Sequence, residues 1–195
     1  ITQKSVIRKR KKYDQFDKLY IQKMTDNFYR AFEDKYRGSR ELIKSRLQVY
    51  LLFVQPLLNT YPAGKVLDLG CGRGEWLELM GEQGFDALGV DLDDGMLQGC
   101  RDRNLNVKTA DAIAYMQGLP EYSICVVSGF HIAEHLPFDG LKQLVQEALR
   151  VLVPGGLLIL ETPNPENITV GSNSFYMDPT HQRPLPPDLL RFLPE

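Results

Sequence analysis

The sequence predicts an α/β protein, with a doubly wound, mostly parallel sheet behind an N-terminal helical extension. From Lys65 onward, short apolar segments alternate with helical patterns, which is typical of a parallel sheet covered on both faces. The stretch VLDLGCGRGEWLE, residues 66–78, places three glycines between a buried strand and a helix. Before Lys65 the apolar residues recur at helical spacing instead. We therefore predict three regions: a helical extension (1–60), the α/β domain (61–165), and a loop that leads into a further helix (166–195).

The extension carries two predicted helices and a basic arm. Apolar spacing predicts the first helix over 14–36, and Ser39 is a suitable N-cap for a second one that runs to Val54. Their apolar stripes suit a core or a self-association face, so an oligomer formed through these helices is one expectation. Residues 1–50 hold 14 Lys and Arg against 6 Asp and Glu, and RKRKK occupies 8–12. This arm is either a solvated segment or a contact with phosphate on a membrane surface or a partner.

The α/β region follows element by element from Lys65. Each predicted strand is short, apolar and bounded by turn residues. Each predicted helix begins at a capping residue or ends near Gly or Pro, the last one at the PGG of residues 154–156. The predicted strands are 65–69, 86–90, 106–109, 124–129 and 156–161, and the predicted helices are 74–82, 94–102, 112–117 and 139–152.

Composition excludes several classes of function. The chain of 195 residues has a net charge of -2 and three cysteines without metal-ligand spacing. Acidic residues outnumber basic ones after residue 50, which argues against nucleic acid as a partner. The sequence shows no signal peptide or membrane span, so we expect a cytoplasmic protein, peripheral to a membrane if the basic arm binds lipid phosphate. It begins at Ile1 and stops after a helical pattern, which predicts a piece of a longer chain.

The glycine-rich stretch indicates a ligand at the carboxyl end of the first strand. Glycine lets a ligand approach the backbone closely. A dinucleotide fingerprint requires a third glycine where this chain has Glu75. Asp68 also places negative charge where a pyrophosphate would lie. A cationic ligand without phosphate fits Asp68, Gly70 and Gly72, whereas a tight turn alone would leave Asp68 unexplained.

Acidic residues follow the next two predicted strands. Asp91 lies 21 residues after Gly70, at the position where a carboxylate accepts both hydroxyls of an adenosine ribose. Its alternative role as a helix N-cap is already filled by Asp93. After the third strand, Asp111 suits an adenine amino group and the Ala112 N–H suits a ring nitrogen. Capping the next helix is nearly as good an interpretation of Asp111.

Taken in order, these segments resemble the class I S-adenosylmethionine-dependent methyltransferases, which have a Rossmann-like fold. The resemblance spans about residues 65–165 and rests on VLDLGCGRG, GVDLDDGML, TADA, FHIAEHL and LRVLVPGGLLILETPN. It implies that the glycine turn contacts the amino-acid part of S-adenosylmethionine. Relatives usually have seven strands where we find five, which predicts either a truncated C-terminus or a departure that leaves one side of the substrate cleft open. The implied cofactor contacts are Asp68, Gly70, Gly72, Asp91, Asp111, Ala112 and Phe130.

An upstream arginine completes the predicted cofactor site. SRLQVY, residues 45–50, resembles a helix that several relatives use to hold the carboxylate of the cofactor. On that likeness Arg46 forms a charge-assisted bidentate bond to the carboxylate. Arg37 and Arg40 are competitors for this role, and surface solvation is the alternative for all three.

All three histidines follow predicted strands at the carboxyl edge of the sheet. A hydroxyl acceptor has to lose a proton, and imidazole removes protons near neutral pH. We predict His135 as this base, with His181 next and His131 as a third candidate. His131, Glu134 and His135 also resemble, inexactly, the metal-binding residues of ubiquinone-pathway O-methyltransferases, so a divalent metal there is an alternative. Structural packing of these residues is a further one.

The last segment bears on the acceptor. Residues 164–190 are polar and proline-rich and, with FYRAFEDKYRGSRE, resemble methyltransferases of bacterial surface-polysaccharide assembly. The resemblance implies O-methylation of a sugar hydroxyl or terminal phosphate on a glycan or lipid-linked glycan, in company with glycan-assembly enzymes. Tyr176, Asp178 and His181 are the predicted acceptor contacts. The alternatives are a small metabolite such as a quinol, and a non-catalytic scaffold domain.

Overall fold

The computed structural model describes residues 38–195 of the chain. The chain forms two compact units, residues 1–43 and 44–195. The basic arm, the first predicted helix and Arg37 lie outside the described residues. Within the described part, no helix has the length and apolar character needed to cross a membrane.

The described residues of the second unit form a five-stranded, all-parallel sheet. The strand order is β3-β2-β1-β4-β5, so the order reverses between β1 and β4. This is the doubly wound sheet predicted from the alternating pattern, and the fold class is confirmed. The strands are β1 (Lys65–Leu69), β2 (Asp86–Asp91), β3 (Val107–Thr109), β4 (Ile124–Phe130) and β5 (Leu152–Glu161).

Helices connect the strands, as parallel pairing requires. Each of the four helices predicted between strands is present, with ends shifted by one residue at most. Short 3-10 turns occupy Gln48–Tyr50, Ala133–His135 and Ser174–Met177. The α-helices are α1 (Arg40–Leu47), α2 (Leu51–Val54), α3 (Leu57–Thr60), α4 (Glu75–Glu82), α5 (Asp94–Arg101), α6 (Ala112–Gln117), α7 (Phe138–Val151), α8 (Ile168–Ser172) and α9 (Pro187–Phe192).

The core lies around the two central strands. All seven residues of β4 are buried, and so are four of the five residues of β1. Helix α7 contributes its apolar stripe, Leu141, Leu144 and Val145, to the same cluster. Burying the strands on both faces makes their carboxyl ends a rigid edge from which the following turns project.

Two elements differ from the sequence expectation. The helix expected from Ser39 to Val54 begins as predicted, with the Leu42 N–H donating to the Ser39 Oγ at 3.2 Å, but it tightens into a 3-10 turn at Gln48–Tyr50. The last strand begins at Leu152 rather than at Gly156. Its register with β4 shifts between Ile124 and Val126, because this bulge accommodates the PGG segment within the strand instead of at the end of the helix.

The segment after β5 contains more regular structure than a loop. Asn167 caps α8 by accepting from the N–H groups of Thr169 and Val170. The 3-10 turn Ser174–Met177 then buries Phe175. The Gln182 N–H donates to the Glu134 carbonyl at 2.8 Å, and this bond fixes the segment beside the end of β4.

Candidate active site at the carboxyl edge of the sheet

The glycine turn after β1 lies at the point where the strand order reverses, which is where doubly wound folds bind ligands. Gly70, Gly72 and Gly74 have φ values of 65°, 50° and 77°. A Cβ on Gly74 would lie 2.7 Å from the Leu105 Cδ1 and 2.9 Å from the Cys100 Sγ. The turn therefore requires glycine for backbone conformation at all three positions and for space at Gly74.

Two of the predicted cofactor carboxylates hold this turn in place. Asp91 accepts from the Gly72 N–H at 2.9 Å and from the Asp93 N–H at 2.9 Å, so it fastens the end of β2 to the turn. Asp68 is buried and accepts from the Ser128 hydroxyl on β4 at 2.8 Å. Both carboxylates add negative charge at the edge, which disfavours a phosphate there.

The acidic residues at the helix starts act as caps. Asp93 caps α5 by accepting from the N–H groups of Gly95 and Met96, as the sequence predicted. Asp111 caps α6 through one carboxylate oxygen, which accepts from the Ala114 N–H at 2.8 Å. Ala112 is the first residue of α6. Capping occupies a single oxygen of Asp111, and its adenine contact stays a prediction.

An aromatic cluster lies beside the glycine turn. Trp76 stands 5.3 Å from Phe130 between ring centroids, and Tyr50 packs on both rings. The Trp76 indole N–H is buried and has no hydrogen-bond acceptor among the described residues. The Tyr50 hydroxyl donates to Glu161 at 2.5 Å, and burial together with this carboxylate raises the pKa of Tyr50. Sequence reasoning did not find Tyr50, Trp76 or Glu161 as site residues, because no motif marks them.

These features fit S-adenosylmethionine. A buried indole N–H without an acceptor is a group that a ligand can satisfy. The carboxylate-rich edge suits a sulfonium cation and suits a phosphate poorly. Residues 68–76, 91–93 and 111–112 are called the cofactor side below.

Arg46 lies on α1, one turn before Tyr50. Its side chain is exposed, and no hydrogen bond or ion pair engages it within the described residues. Arg40 is the first residue of the same helix. A contact between Arg46 and the cofactor carboxylate stays a prediction.

His131 opens the other side of the edge, between two carboxylates. His131 has a φ of 61°, and its backbone N–H donates to the Glu161 carbonyl at 2.8 Å. Its Nδ1 is 3.1 Å from the Glu134 Oε1, and its Nε2 is 3.6 Å from the Glu161 Oε1. Burial opposes the charged imidazole, but these two carboxylates outweigh it and raise the pKa of His131 to about 9.

His135 and His181 come together although 46 positions of sequence separate them. Their ring centroids are 4.8 Å apart. The His135 Nδ1 is 2.9 Å from the Thr180 hydroxyl, which donates to Asp178 at 2.6 Å. The His181 Nδ1 donates to the Phe175 carbonyl at 2.6 Å. Burial lowers the pKa of His135, which favours its neutral form.

Three of these side chains form a group that could hold a metal ion. Ligand atoms of Glu134, His135 and His181 all lie within 4.8 Å of one another. The set expected from sequence paired Glu134 and His135 with His131 instead. In the structure His131 bonds to Glu134 while His181, from the segment after β5, joins the group. Residues 131–135 and 174–182 are called the acceptor side below, and the cofactor contact of Phe130, which packs on Trp76, stays a prediction.

The predicted acceptor contacts occupy different environments. Tyr176 is exposed, whereas Asp178 is buried and accepts from both the N–H and the hydroxyl of Thr180. His181 lies between Phe175 and Glu134, 4.0 Å from the Glu134 Oε1. The structure thus brings His181 and Asp178 together, and their roles in binding an acceptor stay predictions.

Comparison with known proteins agrees with S-adenosylmethionine as the cofactor. Residues 20–188 match the family described as "Methyltransferase domain". A probable S-adenosylmethionine-dependent methyltransferase of Mycolicibacterium smegmatis is 33% identical over 131 residues, which cover 67% of this chain and 50% of that protein. A ubiquinone biosynthesis O-methyltransferase of Methylococcus capsulatus is 33% identical over 108 residues, covering 51% of this chain and 44% of that one. The chain thus spans about half the length of the curated relatives it matches.

A solved structure supports the fold independently. The crystal structure of a SAM-dependent methyltransferase from Archaeoglobus fulgidus is 37% identical to this chain, with a TM-score of 0.75. The match covers 85% of this chain and 72% of that one.

Proposed function

Because the chain belongs to the methyltransferase domain family and takes S-adenosylmethionine as its methyl donor, we propose that it O-methylates a hydroxyl-bearing acceptor, a sugar of a bacterial surface glycan or of its lipid-linked precursor. The observation that carries this proposal is the acceptor side. It gathers His131, Glu134, His135 and His181 beside the glycine turn. A hydroxyl acceptor requires removal of a proton, and this group offers several sites for it.

The residues of the two sides divide the work. When bound, S-adenosylmethionine supplies a methyl group on a sulfonium sulfur, and a carbon–oxygen bond to the acceptor forms as the carbon–sulfur bond breaks. The glycine turn and Asp91 orient one reactant in line with the other. The proton of the acceptor hydroxyl passes to the imidazole of His135 or of His181. His131 suits this step less, since both of its ring nitrogens face carboxylates.

The choice of a glycan rests on the chemistry of the acceptor side. Exposed Tyr176 and the polar groups of Asp178, Thr180 and His181 would form hydrogen bonds to sugar hydroxyls, which have many donors and acceptors. A terminal phosphate on the same glycan is an alternative acceptor group. The basic stretch at 8–12 would attract lipid phosphates, and glycan-assembly enzymes or a membrane surface would then be its partners.

A quinol is the second candidate acceptor. The similarity to a ubiquinone biosynthesis O-methyltransferase favours it. A quinol also carries a hydroxyl, so the same proton-removing group would serve. It would require an apolar surface over the ring, whereas the groups beside His135 and His181 are the polar side chains of Asp178 and Thr180.

Labelled methyl transfer tests the proposal. We would incubate the tag-free protein with methyl-labelled S-adenosylmethionine and, separately, bacterial glycans, lipid-linked oligosaccharides and quinols. We expect label in the glycan fractions, released by cleavage of methyl ethers or phosphate esters. Label in quinols alone would show that the acceptor is a quinol and not a glycan. Calorimetric binding of S-adenosylmethionine without transfer to any of them would indicate a scaffold instead of an enzyme.

A further inference from the structure

We propose that Glu134, His135 and His181 form a binding site for one zinc-class divalent ion on the acceptor side. Three observations carry this inference: the grouping of the three ligands, the orientation of both imidazoles, and the state of the Glu134 carboxylate. The site differs from the one expected on sequence resemblance, because it takes His181 in place of His131. Ion binding itself does not depend on the proposed function, but the role given to the ion below rests on it.

Both imidazoles are oriented as metal ligands. The Thr180 hydroxyl donates its single hydrogen to Asp178, so it can only accept from His135, and the proton of that ring must be on Nδ1. The Phe175 carbonyl likewise can only accept, which places the His181 proton on Nδ1. With Nδ1 donating in both rings, Nε2 is the atom left to bind an ion, and the His181 Nε2 lies 4.0 Å from the Glu134 Oε1 and 3.7 Å from the Asp178 Oδ2. Metal-binding histidines typically donate their other N–H to a carbonyl or carboxylate in this way.

Glu134 supplies the negative charge. Its side chain is fully buried, and its Oε1 lies 3.1 Å from the His131 Nδ1 and 4.0 Å from the His181 Nε2. Its other oxygen, Oε2, is buried without a hydrogen-bond partner in the described part of the chain. An unsatisfied carboxylate oxygen in a buried position is destabilising unless a ligand meets it. A cation bound at this carboxylate would give it a second partner besides His131.

The donor set selects the ion. Two imidazoles and one carboxylate match zinc and similar borderline ions, whereas Mg²⁺ prefers oxygen ligands. Zinc bonds of about 2.0–2.1 Å bring ligand atoms to within roughly 3.3 Å of one another. The observed separations between ligand atoms reach 4.8 Å, so side-chain movements of about 1 Å would bring these atoms to bonding distance from one ion.

The ion would change how the acceptor loses its proton. Three protein ligands leave one coordination position open, as in catalytic zinc sites. An acceptor hydroxyl bound there has a lowered pKa and releases its proton to solvent, which leaves an oxygen ready to form the bond to the methyl carbon. His135 then acts as a ligand and not as the base.

The direct test is ion binding by the tag-free protein, since a histidine tag would bind the same ions. After chelation and dialysis, we would titrate Zn²⁺ by calorimetry and Co²⁺ by its visible absorption spectrum, without an acceptor. We expect one ion of either kind per chain and none of Mg²⁺. Absence of Zn²⁺ and Co²⁺ binding would overturn the proposal.

Variants locate the ion. His135→Ala, His181→Ala and Glu134→Gln should each abolish or greatly weaken binding. The comparison is His131→Gln, which removes the ligand expected from sequence resemblance. Because His131 also bonds to Glu134, this variant should weaken binding, but less than any of the three ligand variants. Loss of binding in His131→Gln together with full binding in His181→Ala would overturn the assignment of His181. Each variant is checked by thermal unfolding and by S-adenosylmethionine binding, so that a folding defect is recognised.

Thr180 gives a test that leaves all three ligands in place. Thr180→Val removes the acceptor for the His135 N–H and should weaken Zn²⁺ binding by about 10–100-fold, whereas Thr180→Ser should restore it. Equal affinity in the valine variant would contradict the orientation argument.

Failure of the ion site and failure of the proposed function are separable. If the chelated protein methylates glycans at the full rate, the ion has no catalytic role, and the proposed function stands. If the protein binds zinc but does not methylate glycans, the ion site stands and the proposed function fails.

Discussion

The cofactor side of the sheet edge is built mainly from backbone, whereas the acceptor side is built from side chains that distant segments bring together. On the cofactor side, three glycines with positive φ and the carboxylate of Asp91 shape one continuous turn. On the acceptor side, His135 forms a hydrogen bond with Thr180, and Glu134 lies 4.0 Å from the His181 Nε2, across more than 40 positions of sequence. We expect substitutions on the two sides to separate binding from turnover.

The two sides also differ in their electrostatics. Asp91 and Asp93 on the cofactor side accept hydrogen bonds from backbone N–H groups, so their charge is partly balanced by fixed dipoles. On the acceptor side, carboxylates face imidazoles, and the pKa of Glu134 is lowered despite its burial because His131 bonds to it. Fixed dipoles suit a binding site, and exchangeable protons suit a site that does chemistry.

The largest expected effect is loss of turnover in His135→Ala. A general base contributes about 10²–10⁴-fold, and a metal ligand is at least as important. We expect turnover on the acceptor to fall on that scale, measured by label transfer, while S-adenosylmethionine affinity by calorimetry stays within a few-fold. Full activity of His135→Ala would exclude His135 from turnover, both as a base and as a ligand of a catalytic ion.

The next effect concerns the backbone of the cofactor side. Gly74→Ala should lower the free energy of unfolding by about 2–4 kcal/mol, because it combines strain at positive φ with overpacking. The new Cβ would meet Leu105 and Cys100, and the Cys100 thiol donates to the Gly72 carbonyl, so cofactor affinity should fall as well. Denaturant unfolding and calorimetry measure the two effects.

Gly81 provides the matched control for Gly74. It lies inside α4, and a Cβ there would meet nothing within 4 Å. Gly81→Ala should therefore stabilise the protein by about 0.4–1 kcal/mol through the unfolded state. A Gly74→Ala variant as stable as Gly81→Ala would contradict the account of the turn.

The contrast between the sides explains what could be predicted from sequence. The strands, the helices between them and the Asp93 cap depend on local patterns, namely apolar periodicity, glycines and capping residues, and each was predicted within a few residues of its place. The start of β5 was missed because a bulge absorbs the PGG segment, and a bulge is visible only in the pairing with β4. The tightening of the helix at Gln48–Tyr50 has no local signal.

For the acceptor side, the sequence predicted which residues lie at the sheet edge but not which of them contact one another. Placing His131, His135 and His181 at the carboxyl edge required only the order of the strands. Which of them come into contact depends on the path of the chain after β5, and that path is fixed by the bond from Gln182 to Glu134. Tyr50 and Trp76 were missed for the same reason, since their packing on Phe130 is a long-range contact.

Asp91→Ala should weaken S-adenosylmethionine binding by about 1–3 kcal/mol, or roughly 5–150-fold. The substitution removes the charged partner expected for the ribose hydroxyls and also releases the Gly72 and Asp93 N–H groups. The control is Asp94→Ala, which removes an exposed carboxylate that pairs with Arg101 and should leave affinity unchanged. Unaltered binding in Asp91→Ala would remove Asp91 from the cofactor side.

The smallest effect tests whether the cofactor side extends to α1. Arg46 is exposed, so replacing its bidentate guanidinium by an ammonium in Arg46→Lys should weaken S-adenosylmethionine binding by about 1 kcal/mol. The sharpest comparison uses methylthioadenosine, which keeps the nucleoside and lacks the carboxylate. Its affinity should be the same for the variant and the parent chain. Arg40→Lys is the matched control on the same helix. If Arg40→Lys weakens S-adenosylmethionine binding and Arg46→Lys does not, the carboxylate belongs to Arg40, and the cofactor side reaches the first residue of the helix.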